Sequence, residues 1–169
     1  MEIERKYLVR HIPDQLSSYP CHHIEQAYLS TDPVLRIRQL DDQYILTYKS
    51  KGLLARQEVE LPLTKESYLH LKTKADGTII TKNRYVISLE KETAELDLFL
   101  DSLAGFIMVE VEFSSVEEAD SFTPPSWFGE EVTYDSAYHN STLSALDESG
   151  RISFLNHLQE KGYFYLELE

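Results

Sequence analysis

Met1-Glu2-Ile3-Glu4-Arg5-Lys6-Tyr7 opens the chain and decides how the rest of it is read. In a β-strand, side chains at i, i+2 and i+4 share a face. Glu2, Glu4 and Lys6 therefore lie together, opposite Ile3, Arg5 and Tyr7. A charged strand face is ordinarily solvated, with the other face in a core. Here the pattern returns at Arg36-Ile37-Arg38, Lys49-Ser50-Lys51, Arg56-Gln57-Glu58-Val59-Glu60, Lys82-Asn83-Arg84, Glu95-Leu96-Asp97 and Glu110-Val111-Glu112. Like charges repeat along one strand, and the sign changes between strands. Solvated surfaces mix signs instead. Acid strands set against base strands suit a lumen that binds metal on one side and an anion on the other. A closed antiparallel barrel can hold such an interior and bury its apolar outer face under helices.

The charge count fits. Eight acids (Glu2, Glu4, Glu58, Glu60, Glu95, Asp97, Glu110, Glu112) and eight bases (Lys6, Arg36, Arg38, Lys49, Lys51, Arg56, Lys82, Arg84) cancel. The net charge of −13 then belongs entirely to the rest of the chain. A pI of about 4.8 disfavours a nucleic-acid partner, because an acidic exterior repels exposed phosphates. A short, compact polyanion inside a basic lumen remains allowed.

A length of 169 residues is that of one domain with a full core. The single cysteine, Cys21, excludes an intramolecular disulfide and a cysteine-based metal framework. Met1-Glu2 begins without the basic and apolar regions of a signal peptide. No apolar run approaches the ~20 residues of a membrane span. The expectation is a cytoplasmic protein without a membrane partner, and a homodimer is allowed for.

Strand signals fall at 2–9, 24–30, 34–40, 43–50, 55–61, 78–81, 84–90, 94–100 and 106–113. Eleven tyrosines favour strands. Asp41-Asp42 reads as a tight hairpin, and Lys51-Gly52, Asp76-Gly77 and Ala104-Gly105 as further turns. Helices are few. Residues 65–74 follow a Thr64 N-cap, Ser115-Val116-Glu117-Glu118 is a capping-box pattern for 116–121, and 151–161 ends at Gly162 in the C′ position. The expected fold is mainly β (α+β), an antiparallel closed barrel with a few peripheral helices.

Glu2, Glu4, Glu110 and Glu112, with Asp97, would make an all-oxygen cluster of the kind hard cations such as Mg²⁺ or Mn²⁺ select. The other reading pairs these acids with the lumen bases and holds no metal. Arg36, Arg38, Lys49, Lys82, Arg84 and Lys6 offer donors for phosphate oxygens; structural ion pairs are their alternative fate. None of the six histidines has a nucleophile or zinc partner in the sequence, and Trp127 and Phe128 read as packing. There is no Gly-rich phosphate loop and no nucleophile elbow.

Glu2-Ile3-Glu4-Arg5-Lys6 resembles the N-terminal ExExK signature of the CYTH family, the triphosphate tunnel metalloenzymes. The resemblance continues through Gln26-Ala27-Tyr28-Leu29, Arg36-Ile37-Arg38, Leu46-Thr47-Tyr48-Lys49 and Arg56-Gln57-Glu58-Val59-Glu60. It goes on through Lys82-Asn83-Arg84-Tyr85, Glu95-Leu96-Asp97-Leu98-Phe99, Glu110-Val111-Glu112, Gly129-Glu130-Glu131-Val132-Thr133 and Tyr138-His139-Asn140. It covers residues 1–146 of a single domain, with 147–169 an appended helix and tail. Ala27 and Ala94 depart from the family pattern and read as packing changes.

The resemblance implies an eight-stranded antiparallel tunnel that binds a triphosphate and a divalent metal. It implies metal ligands at Glu2, Glu4, Glu110 and Glu112, with Asp97. It implies triphosphate ligands at Lys6, Arg36, Arg38, Lys49 and Arg84, with Lys82 and Arg56. Glu58 and Glu60 would orient those bases or help position the second metal and water, and the catalytic set would be Glu4, Lys6, Glu58 and Glu60. Known members hydrolyse inorganic triphosphate or thiamine triphosphate, or cyclise ATP. The motif set is most similar to the inorganic triphosphatases. The rivals are a class IV adenylyl cyclase, a thiamine triphosphatase and a polyphosphate- or nucleotide-binding module without turnover.

Overall fold

A computed structural model describes residues 1–165. Its strands are β1 (Glu2–Val9), β2 (Cys21–Thr31), β3 (Val34–Leu40), β4 (Gln43–Lys49), β5 (Ala55–Arg56), β6 (Glu58–Leu63), β7 (Asp76–Ser88), β8 (Thr93–Phe99), β9 (Ile107–Glu112) and β10 (Phe128–Glu131). Its helices are α1 (Lys65–Lys72), α2 (Val116–Ser121), α3 (Asn140–Ala145) and α4 (Glu148–Lys161).

Eight long strands form the wall in the order β1-β9-β8-β7-β2-β3-β4-β6, every pair antiparallel. The free edge of β1 is covered at its start by β5 and at its end by β10. The barrel is thus nearly closed, and the tunnel expected from the sequence is the fold found.

The outer face is apolar and covered in two places. Ile3, Tyr7 and Val9 of β1 pack with Leu96 of β8 and Val109 and Val111 of β9, beneath Phe122 and Phe128. Ala27 and Ile37 pack under Tyr68 of α1. Ala27 and Ala94 are both buried in these clusters, which agrees with packing changes at those two positions. Arg5 faces outward, where its guanidinium donates to Glu131 Oε2 at 2.6 and 2.8 Å and ties β10 to the barrel.

The inward face changes character along its length. Leu8 follows Lys6, Val34 precedes Arg36, Ile80 precedes Lys82, Phe99 follows Asp97 and Met108 precedes Glu110, each two residues away on the same face. These five apolar side chains join Phe106, Val132, Tyr138, Leu143 and Leu158 in one buried cluster. Charge fills one part of the barrel, and an apolar plug closed by α3 and α4 fills the other.

Local chemistry explains the helices. Thr64 accepts from the Ser67 amide, Ser115 from that of Glu118 and Asp147 from that of Gly150. Gly162 ends α4 with φ 81°, as a C′ glycine does. Asp147 starts α4 at 148, three residues before the apolar spacing suggests. Gly105 (φ 103°) leaves room for the Phe164 ring, which would lie 2.1 Å from any Cβ there. The tail beyond 147 is therefore docked as far as Tyr165, whose hydroxyl donates to the Val9 carbonyl at 2.5 Å; residues 166–169 of that tail lie outside the described residues.

Some expectations change. The strand expected at 55–61 divides at Gln57 into β5, which pairs with β1, and β6, which pairs with β4 and runs on to Leu63. Segments 78–81 and 84–90 are one strand, β7. Asn83 is a poor strand former, but cross-strand pairing with His23 and Leu98 carries it. Asp76-Gly77 opens that strand instead of forming a turn. Gly77 (φ 70°) lets the Ser144 carbonyl approach to 2.3 Å from where a Cβ would stand, seating α3 against β7. β10 and α3 gave no signal: four and six residues are too short for periodicity, and Asn-Ser-Thr are weak helix formers.

Candidate functional site

The charged part of the barrel encloses a cavity of about 210 Å³. Seven bases line it: Lys6, Arg36, Arg38, Lys49, Arg56, Lys82 and Arg84. Seven acids face them: Glu2, Glu4, Glu58, Glu60, Glu95, Glu110 and Glu112. The lumen lining is formally neutral, as the sequence count suggested, with two changes of membership. Lys51 points to solvent beside Asp32, because its side chain lies past the end of β4. Asp97 also faces inward but is wholly buried beneath Lys82 and Arg84, and it is not among the lining residues.

Strand register builds the two sides. Arg38 is opposite Gln26, and Arg36 opposite Thr47. Arg38 donates from Nε and Nη2 to Gln26 Oε1 at 2.9 and 2.6 Å. Arg36 donates from Nη2 to Thr47 Oγ1 at 3.2 Å, while its buried Nε has no partner. Arg84 and Lys82 share one carboxylate. Arg84 Nε reaches Asp97 Oδ1 at 2.7 Å and Nη2 reaches Oδ2 at 2.8 Å; Lys82 Nζ reaches Oδ2 at 2.7 Å and Asn140 Oδ1 at 3.0 Å. Asp97 thus serves the bases and stands apart from the acid cluster in which the sequence grouped it. Both its oxygens are taken by cations on the neighbouring strand.

On the other side, Glu4 is opposite Glu112 and Glu110 is opposite Glu95. Lys6 bridges this wall, with Nζ 2.6 Å from Glu4 and 3.8 Å from Glu110. Lys49 Nζ lies 3.0 Å from Glu2 and 3.3 Å from Glu58, and Arg56 Nε lies 3.4 Å from Glu2. Among the described residues, no three acidic, histidine or cysteine side chains converge as a ligand shell in this arrangement. Glu2, Glu4, Glu58, Glu95 and Glu110 are turned onto lysines or arginines.

The proton equilibria separate the two walls. Burial alone would raise the Asp97 carboxyl, but Arg84 and Lys82 outweigh it and hold the group below the usual range. Glu110 is likewise held low, burial being overcome by Lys6, Arg84 and Lys82. Burial raises Glu2, and its contact with Glu58 adds to this. Glu112 is raised by burial and by repulsion from Glu2, Glu4, Glu58 and Glu95. Burial opposes the Lys6 charge, yet Glu4 and Glu110 raise its pKa. Burial lowers Arg38, helped by Arg36 and Arg84, though a guanidinium keeps its charge at neutral pH.

The structure also brings in residues to which the sequence assigned no site role. Gln26, Thr47 and Asn140 position bases, and Tyr28, His139 and Ser141 line the cavity. Gln26, Tyr28, Thr47, His139 and Asn140 stood in stretches that carried the resemblance, which was the only signal for them. A second recess of about 240 Å³ adjoins the lumen between the β2–β3 turn, the segment before β5 and the start of α3. It shares Val34, Lys49, Arg56, His139 and Ser141 with the lumen.

The CYTH domain profile matches residues 1–144. The chain is 42% identical over 148 residues to the inorganic triphosphatase of Nitrosomonas europaea, spanning 85% of this chain and 96% of that protein. It is 31% identical over 146 residues to the inorganic triphosphatase of Acetivibrio thermocellus, spanning 84% and 92%. The fold is similar to the crystal structure of an inorganic triphosphatase, with a TM-score of 0.66, 38% identity, and coverage of 87% of this chain and 96% of that one.

Proposed function

Because this chain belongs to the CYTH domain family, we propose that it hydrolyses the terminal phosphoryl group of inorganic triphosphate, with a divalent metal ion as cofactor. The observation that carries this reading is the neutral lumen in which seven bases face seven acids. A lumen built only for anions gains nothing from so many carboxylates, and one built only for cations gains nothing from the bases.

The donor set fits Mg²⁺ or Mn²⁺. It is all oxygen, and a bound cation offsets both the burial and the mutual repulsion that raise Glu112. Glu2, Glu4, Glu110 and Glu112 line the cavity and would hold the metal; Asp97, fully buried and outside that lining, would instead orient Arg84 and Lys82. When bound, such an ion neutralises charge developing on phosphate oxygens.

The residues of the chain supply the rest. Arg36, Arg38, Lys82 and Arg84 grip the phosphate chain from one side, and the unpartnered Arg36 Nε is a donor awaiting an oxygen. Lys49 and Arg56 extend the grip toward β5, and Lys6 reaches the same anion from the acid wall. Water attacks the terminal phosphorus as its bond to the bridging oxygen breaks. Glu58 or Glu60, both on the lumen face of β6, takes the water proton while Glu4 holds Lys6 in place. Orthophosphate and diphosphate leave, and no covalent enzyme intermediate forms.

An exposed, unpaired Cys21 suits a reducing compartment and supports a cytoplasmic placement. No helix of the described residues is long and apolar enough to cross a membrane. The test is phosphate release from inorganic triphosphate, ATP and thiamine triphosphate with Mg²⁺ and Mn²⁺, with cyclic AMP measured in parallel. Inorganic triphosphate should give the highest kcat/KM. Faster turnover of ATP, or cyclic AMP as the main product, would replace this reading with the cyclase.

A further inference from the structure

His139 stands at the boundary between the lumen and the adjoining recess and lines both. Its Nε2 is shielded from solvent and has no hydrogen-bond partner. An unpartnered buried polar atom is a deficit that a ligand can remove. Only two other buried side-chain atoms among the described residues share this state, Arg36 Nε in the same lumen and Tyr7 on the outer face. The recess differs from the lumen in kind. Beyond the residues it shares with the lumen, its lining is mostly uncharged, Pro33, Leu53 and Thr142 among it, with one exposed ion pair, Lys51–Asp32, so it offers room for an organic group. Resting on the triphosphatase reading, we propose that His139 contacts the end of the bound phosphate chain at this boundary and selects a chain that ends there over one continued by an organic substituent.

The imidazole meets the anion uncharged. Burial pulls it down to about 4, and Lys6 and Arg56 add repulsion. A neutral ring contributes a directed hydrogen bond instead of a further charge, which is what discrimination between a phosphate terminus and an ester requires. The ring lines both spaces, so a substituent that continues into the recess must pass it.

Calorimetric titration of the metal-free protein with inorganic triphosphate and with ATP tests this. His139→Ala should bind triphosphate about tenfold more weakly while losing little or no affinity for ATP. His139→Gln, which keeps a side-chain donor, should recover most of the loss. Should His139→Ala fail to fold, His139→Phe keeps the ring, removes both nitrogens and carries the same comparison. Unchanged binding of both ligands, or an equal loss on both, would overturn the inference. A wild-type protein that binds no triphosphate either without metal or with Mg²⁺ overturns this contact and the proposed function together. Selective loss in a protein that binds but does not turn over supports the contact and overturns only the hydrolytic reading.

Discussion

Two parts of the same barrel interior, the charged lumen and the apolar plug, are built by the same strands and the same face. Glu2, Glu4 and Lys6 give way to Leu8 on β1; Arg84 and Lys82 give way to Ile80 on β7; Glu95 and Asp97 give way to Phe99 on β8. In the plug, burial is favourable in itself, at about 25 cal/mol per Å² of apolar surface. In the lumen, burial of each charge is unfavourable unless a partner is supplied. The plug is therefore held by its own packing. The lumen is held by pairs such as Lys82–Asp97 and Lys49–Glu2, and by the frame around it. Stability and function are separated along single strands, a few residues apart.

Substitutions should fail differently on the two sides. The largest effect is expected at Glu4. Glu4→Gln should lower metal-dependent triphosphate turnover by about 10²–10⁴-fold, the scale of a lost acid–base or charge-stabilising group, with an unchanged circular dichroism spectrum. Near-normal turnover in the folded variant would remove Glu4 from the site. Next is the plug. Phe99→Ala should destabilise the fold by about 3–5 kcal/mol in urea unfolding and leave triphosphate affinity nearly unchanged. A large change in affinity would mean that plug and lumen are not separable.

Asp97 sits on the border, between Glu95 and Phe99, and blurs the comparison. Asp97→Asn leaves two buried cations short of their shared counter-ion. It should cost about 3 kcal/mol in unfolding free energy and also weaken triphosphate binding. Loss of stability alone would assign Asp97 to the plug. Arg38→Ala belongs to the lumen only, and calorimetry should show triphosphate affinity reduced by about 1.5–3 kcal/mol, the scale of a hydrogen bond to a charged group.

The smallest effect concerns protons. Burial pulls Lys82 down to about 7; Asp97 on β8 and Glu110 on β9 oppose the shift, Arg84 and Arg38 add to it, and Asn140 accepts from the ammonium. A bound polyanion favours the charged form and raises this pKa. Binding is then tightest below pH 7, and affinity falls as pH rises through 7 toward the raised value. Lys82→Met should bind more weakly and lose that part of the pH dependence. A wild-type profile in Lys82→Met would locate the proton elsewhere.

The alternation of the first seven residues and its six recurrences were enough to read the barrel, the covered outer face and the charged lumen. A side-chain period of two is a local property of a strand. Fourteen of the charged residues named from the sequence do line one cavity. Sequence could not assign partners, because which acid meets which base depends on register between strands far apart in the chain. Asp97 looks like Glu110 in sequence, yet pairing with β7 gives it to Arg84 and Lys82, while pairing across β1 leaves Glu110 in the lumen. His139 carries no local signal, since its place comes from α3 resting on Gly77 of β7. The blocked end of the barrel is likewise a tertiary outcome. Leu8, Ile80 and Phe99 are ordinary apolar strand residues until α3 and α4 fold over them and exclude water. Period and composition act within a strand and are written in its residues. Pairing, burial and the resulting pKa shifts act between strands and exist only once the barrel has closed.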